Sequence, residues 1–141
     1  MLYDHWTDFK GDWCWINFTP EELSCRCCGE YYHDEFSLDL LQSARRKLGK
    51  PIHLSSAHRC VKHNKEVGGR TKSEHLRIAF DLPIPSGTSR EEWLQLLFDA
   101  GFTTFGLYNT FIHTDRRSWR KWYGTKESTW SAIYDKVVKS E

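Results

Sequence analysis

No apolar run in the 141-residue chain approaches the ~18 residues a helix needs to cross a bilayer, which argues against membrane insertion. Charge of neither sign is in excess. Twenty Lys and Arg against 19 Asp and Glu leave a net charge of +1, so there is no electrostatic case for a nucleic-acid or membrane-surface partner. Residues 1–10 contain no basic segment followed by an apolar one, so the expectation is synthesis in the cytoplasm with no signal peptide. Internal repeats and linkers are also lacking, and the length suits one domain able to bury a core without staples. A balanced set of cysteines is missing too: five is an odd count, which fits a reduced compartment better than a disulfide framework.

What is abundant is aromatic. Seven Trp are many for so short a chain and read either as core and rim packing or as a platform for stacking on sugars or peptides. Residues 1–18 carry Trp6, Trp13, Trp15 and Phe18 without a clean period and are expected to form an irregular arm packed on the domain. Thr19-Pro20-Glu21-Glu22 is a helix start, with Thr as cap, Pro at the first helical position and acids in the first turn. Ser37 to Leu48 predicts a helix with Leu38, Leu41, Ala44 and Leu48 on one face and Gly49 as its stop. Ile52-His53-Leu54-Ser55 alternates as a short strand, and Cys60 to Val67 reads as a short helix. Ile78, Phe80 and Leu82 are strand-like. Ser89 caps a helix with the stripe Trp93, Leu96, Leu97 and Ala100.

Thr104–Tyr108 and Phe111–Asp115 read as strands joined at Asn109-Thr110, and residues 128–139 as a terminal amphipathic helix. The fold class expected is α+β, an antiparallel sheet with helices packed on it. Its domain spans residues 19–119, with a C-terminal helical extension over 120–141.

Two short stretches carry the chemistry. Ser73-Glu74-His75-Leu76-Arg77-Ile78-Ala79-Phe80-Asp81 holds a serine, a histidine and a carboxylate, and Phe111-Ile112-His113-Thr114-Asp115 supplies another His and another carboxylate. Two His and one Asp are what a catalytic zinc takes from a protein, with the fourth position left for water. Asp115 lies two residues after His113, so on a strand both side chains point to one face, and Asp115 is the candidate general base. The other role open to it is to orient a ligand. His58 and His63 are further candidates for the base. Cys25, Cys27 and Cys28, with Cys14 or His33, could make a structural metal site, although C-x-C-C is not the usual zinc spacing; free thiols are the alternative.

Four motifs then follow in order. They are Ser55-Ser56-Ala57-His58-Arg59, His63-Asn64-Lys65-Glu66-Val67-Gly68-Gly69, Ser73-x-His75 to Ala79-x-Asp81, and Gly106-x-Tyr108 to His113-x-Asp115. The series resembles the zinc D-Ala-D-Ala carboxypeptidase and phage endolysin family of peptidoglycan peptidases, and more closely its small phage-borne and YcbK-like members. The resemblance covers most of residues 18–119. It implies a zinc ion on the face of an antiparallel sheet, held by His75, Asp81 and His113. It also implies that Arg59 holds the substrate carboxylate or the developing oxyanion, with Ser73 and Asn64 hydrogen-bonding the loops of the substrate site. The implied partner is the stem peptide or cross-bridge of peptidoglycan. Action would follow release from the cell or occur within a virion, as a monomer.

One departure bears on the metal. The family pattern S-x-H-x-x-G-x-A-x-D has a glycine that this chain lacks, and Asp81 follows His75 by six positions rather than seven. Six residues of straight strand span roughly 20 Å, whereas two donors on one zinc sit only about 3–3.5 Å apart. The chain must bend between them without the residue that bends most cheaply. Either the bend is re-made and the site is intact, or a ligand misses and the fold only binds. The position three before His113, acidic in some relatives, is Thr110 here.

Overall fold

Thr19 opens the first α-helix by closing a reciprocal cap. Its hydroxyl accepts the Glu22 N–H while the Glu22 carboxylate accepts the Thr19 N–H, starting the single helical turn α1 (Pro20–Leu23). In this computed structural model, which describes residues 1–138, the long helix α2 (Glu35–Leu48) follows. It starts two residues before the sequence predicts, because Asp34 rather than Ser37 is the cap and accepts the Ser37 N–H. Gly49 stops it at φ 74°, a conformation that costs glycine little. The short helix α3 (Val61–Glu66) and helix α4 (Arg90–Asp99) are both close to expectation, α4 with a second reciprocal cap from Ser89 and Glu92. Helix α5 covers Glu127–Val137; Lys139, the end of the predicted helix, lies outside the described residues.

Within residues 1–18, β1 (Leu2–Tyr3) pairs antiparallel with β2 (Tyr31–Tyr32), and Tyr3, Phe9, Trp13 and Trp15 gather around Tyr31 and His33. Most of the aromatic surplus in the first third is thus spent on packing.

The main sheet has the order β3-β5-β4-β6, with β3 at Phe80–Pro83, β4 at Thr104–Leu107, β5 at Phe111–Asp115 and β6 at Arg120–Tyr123. β3, β5 and β4 are antiparallel neighbours, as expected. β6 runs parallel to β4, so the sheet is mixed rather than antiparallel throughout. β6 falls within the 120–141 span expected as a helical extension, and Arg-Lys-Trp-Tyr does not alternate in polarity, so its pattern alone gives no sign of a strand. Ile52–Ser55 also forms no strand of its own; the segment lies along the edge of β3, with Ser55 N–H on Asp81 O and Asp81 N–H on Ser56 O. The core lies between sheet and helices, with Leu38, Leu41, Phe80, Trp93, Leu94, Phe102, Phe105 and Trp130 fully buried. Among the described residues no helix is long and apolar enough to cross a membrane.

Candidate metal centre

The register of the sheet builds the first half of the site. Asp81 on β3 stands directly opposite His113 on β5. Both backbone groups of Asp81 turn outward to Ser55 and Ser56, which makes Asp81–His113 a pair without mutual backbone hydrogen bonds. That is the kind of cross-strand pair in which side chains approach closest. The result is His113 Nδ1 at 3.0 Å from Asp81 Oδ1.

His75 arrives from outside the sheet. It sits in a 3-10 turn, Glu74–Leu76, capped by the Ser73 hydroxyl, which accepts the His75 N–H at 3.1 Å. Arg77, at φ −105° and ψ −103°, then redirects the chain toward β3. The only non-glycine residue with positive φ among those described is Trp119, so the bend is made without a left-handed residue. The turn does what the missing glycine does in the pattern, and the shorter segment still brings His75 to Asp81.

One ligand atom from each of His75, Asp81 and His113 lies within 4.8 Å of the others. The hydrogen bonds on the far sides of the two rings fix what faces inward. His75 Nδ1 is 2.6 Å from the Ala57 carbonyl, so it carries the proton and Nε2 presents a lone pair. That Nε2 is buried and has no hydrogen-bond partner; it lies 3.2 Å from Asp81 Oδ1, but not in donor geometry. His113 Nε2 is 2.8 Å from Asp115 Oδ2, which leaves Nδ1 facing Asp81. Two imidazole lone pairs and a carboxylate converge on one point, an arrangement that repels itself unless a cation sits among them. The donor set, two neutral imidazoles and one carboxylate with each His braced from behind, fits a divalent transition metal.

Burial alone would raise the Asp81 pKa, but the two imidazoles beside it prevail and hold its carboxyl well below the usual range. Burial pushes His75 down. Burial also works against a charged His113, yet Asp115 and Asp81 outweigh it and raise its pKa.

Asp115 requires a correction. Its side chain is fully buried, and its oxygens are taken by His113 Nε2 and by the Arg117 backbone N–H and guanidinium at 2.8–3.0 Å. It stands behind His113 rather than in the groove, so the geometry gives it the orienting role and not that of the base. Arg117, which the sequence reading missed, completes this brace, and its cation lies 5.9 Å from the Trp122 ring centre. His58 is buried with Nδ1 on the Arg77 carbonyl and Nε2 on Glu30, so it is a tie between loops. His63 does not line the groove that opens onto the triad.

That groove, about 640 Å³, is lined by His75, Asp81 and His113 together with Arg59 and Ser73. Burial lowers the Arg59 pKa from its usual value, and its Nε is buried without a partner, so the guanidinium has hydrogen-bonding capacity to spare. Asn64 is buried and not part of the lining; its amide donates to the Arg70 carbonyl and shapes the Gly68-Gly69 loop. Asn64 thus hydrogen-bonds the loop beside the groove without lining it. Among the described lining residues the carboxylates are Glu74 and Asp81; Glu74 is paired with Arg77. The far wall is aromatic. Trp122 lies with its ring centre 5.0 Å from that of His113, donates to Tyr108 Oη, and fills the space Gly106 leaves open: a Cβ at Gly106 would meet its ring at 2.5 Å.

The cysteine cluster is also re-drawn. Cys25, Cys27 and Cys28 do come together, but the fourth member is Cys60, not Cys14 or His33. Cys14 is exposed, and His33 stacks on Phe9 and bonds to Tyr31. Cys60 lies 33 positions from Cys27, and nothing in the local spacing links it to the cluster.

A family model described as Peptidase M15 matches residues 16–115, a span that begins just before α1 and ends at Asp115. No curated protein matches the chain.

Proposed function

Since the chain belongs to the M15 peptidases, a family of metal-dependent peptidases, we propose that it is a zinc peptidase acting on peptidoglycan, of the small phage-borne, YcbK-like kind. The bond cut would be one of the stem peptide or cross-bridge, by D,D-carboxypeptidase, D,D-endopeptidase or L-alanyl-D-glutamate endopeptidase action. The observation that carries this reading is the convergence of His75 Nε2, His113 Nδ1 and Asp81, each His with its other nitrogen tied back. A zinc ion held there would supply a Lewis acid for the scissile carbonyl and a means of acidifying water at neutral pH.

The chain's own residues do the rest. Asp115 and Arg117 hold His113 in one tautomer, and the Ala57 carbonyl does the same for His75. Arg59 offers charge to a substrate carboxylate or to the oxyanion that develops on amide cleavage. Arg70, Lys72, Arg120 and Lys121 add positive charge to the groove, which suits a peptide rich in carboxylates. Trp122 and Tyr108 wall the groove on one side and limit access of bulk water to His113.

The test is digestion of purified sacculi of several chemotypes. Soluble muropeptides should appear, and should be lost on chelation, in His113→Ala and, at least 100-fold, in Arg59→Met. No release from any murein type at saturating zinc would sink the reading. A second reading, a binding module on the same fold, is favoured by one observation: the described carboxylates of the groove are already committed, leaving no free base. Its signature is co-sedimentation with sacculi without cleavage.

A further inference from the structure

The four clustered cysteines share no residue with the His75–Asp81–His113 centre. The loop after α1 folds back on itself: Cys25 N–H donates to Glu30 O at 2.7 Å, and Gly29 N–H to Cys25 O at 2.8 Å. Gly29, at φ +80°, makes the reversal possible. This tight loop turns the sulfurs of Cys25, Cys27 and Cys28 to one side, where Cys60 meets them from the segment that caps α3. Cys25 Sγ is 3.5 Å from Cys27 Sγ, and Cys27 Sγ is 3.4 Å from Cys60 Sγ, with all four within 4.8 Å of one another. Zinc–sulfur bonds of about 2.3 Å put tetrahedral sulfurs about 3.8 Å apart, which falls within this range. Two disulfides would instead need the sulfurs in pairs at about 2.0 Å, and would not need all four at one point.

A backbone donor also suits one of the sulfurs to bind metal as a thiolate. The His63 backbone N–H donates to Cys60 Sγ at 3.3 Å. Donors aimed at sulfur stabilise negative charge there and orient the ligand, as the outer hydrogen bonds of a metal site do. Four thiolates without a cation would repel one another; a divalent ion resolves both charge and geometry.

We propose that Cys25, Cys27, Cys28 and Cys60 hold a structural zinc ion, separate from the centre in the groove. The ligand set is closed, with no position left for water or substrate, so the ion staples rather than catalyses. What it staples is the loop after α1 to the residue that follows Arg59, so Arg59 is held at its Cys60 end by a metal bond and at its own N–H by His75 O.

The experiment is metal analysis of the full chain purified under reducing conditions, with cobalt replacing zinc as a spectroscopic probe. Two zinc ions per chain are expected, one remaining in His75→Ala and one in Cys60→Ser. The cobalt form should show a sulfur-to-cobalt charge-transfer band that survives His75→Ala. Should Cys60→Ser fail to fold, thiol titration of the wild type decides: Cys14 alone should react until a chelator is added, after which all five cysteines should. A single zinc that depends on His75, iron in place of the second zinc, no thiolate band, or Cys27 and Cys28 reacting as fast as Cys14 without chelator would each overturn the assignment.

Discussion

Replacing Asp115 with Asn separates the two roles a carboxylate behind His113 can have. The substitution preserves volume, so the core should accept it. Asp115 uses Oδ1 for the Arg117 backbone N–H and Nε, at 2.9 and 3.0 Å, and Oδ2 for His113 Nε2 and Arg117 Nη2. An Asn has one carbonyl oxygen, which the Arg117 donors will claim, so its NH₂ must face His113 Nε2. That nitrogen then has to accept, the ring proton moves to Nδ1, and Nδ1 is the atom turned toward Asp81 and the metal position. Loss of such a brace costs 10–100-fold in metal affinity, or about 1.4–2.7 kcal/mol. The measurement is zinc affinity by competition with a chromophoric chelator, for wild type and Asp115→Asn, alongside hydrolysis at saturating zinc. Weakened zinc with activity largely restored by excess metal is the expected pattern. Unchanged affinity with activity abolished would refute the orienting role and return Asp115 to the base.

Three further outcomes follow from the geometry. Because Asp115 and Asp81 raise the His113 pKa despite its burial, a proton competes with the metal for Nδ1 at a higher pH than an ordinary histidine allows. Zinc affinity at this centre should therefore rise with pH up to that raised pKa and level off above it; a Cys60→Ser chain titrated across about pH 5 to 8 reads this, and a flat profile contradicts it. Gly106→Ala drives a Cβ into the Trp122 ring at 2.5 Å and should cost about 1–3 kcal/mol in urea denaturation, with altered tryptophan fluorescence; an unchanged midpoint would show that the contact yields freely. Thr19→Ala removes one half of the reciprocal cap on α1 and should cost about 1 kcal/mol by the same assay, with no change in zinc content.

The helices were legible because each carries its own punctuation: Thr19 and Ser89 with acids three residues on, and Gly49 past the last turn. The β4–β5 hairpin was legible from alternation and its turn residues. β6 was not, since a parallel edge strand of four residues depends on what lies beside it rather than on its own pattern. The three candidate ligands are brought together as the motifs imply. Asp115 illustrates the limit of spacing: i and i+2 on a strand place two side chains on one face, but not which of the two is in front. Arg117 carries no local signal, being defined only by its contact with Asp115. Cys60 was invisible as a cluster member for a related reason, because loop closure over 33 residues leaves no trace in neighbouring positions.

His75 is suspended from parts of the chain that are not its sequence neighbours. Its ring hangs on the Ala57 carbonyl, and its own carbonyl holds the Arg59 N–H. Its position relative to Asp81 is thus set by the 55–59 segment, which lies against β3 at Ser55 and Ser56, and the connection between the two ligands only has to be long enough to reach. Connector length and ligand geometry become separate variables. A chain built this way can lose a residue, or a glycine, from the connector and keep the same triangle of donor atoms, because the short strap that both ligands lean upon, rather than a fixed spacing, holds them.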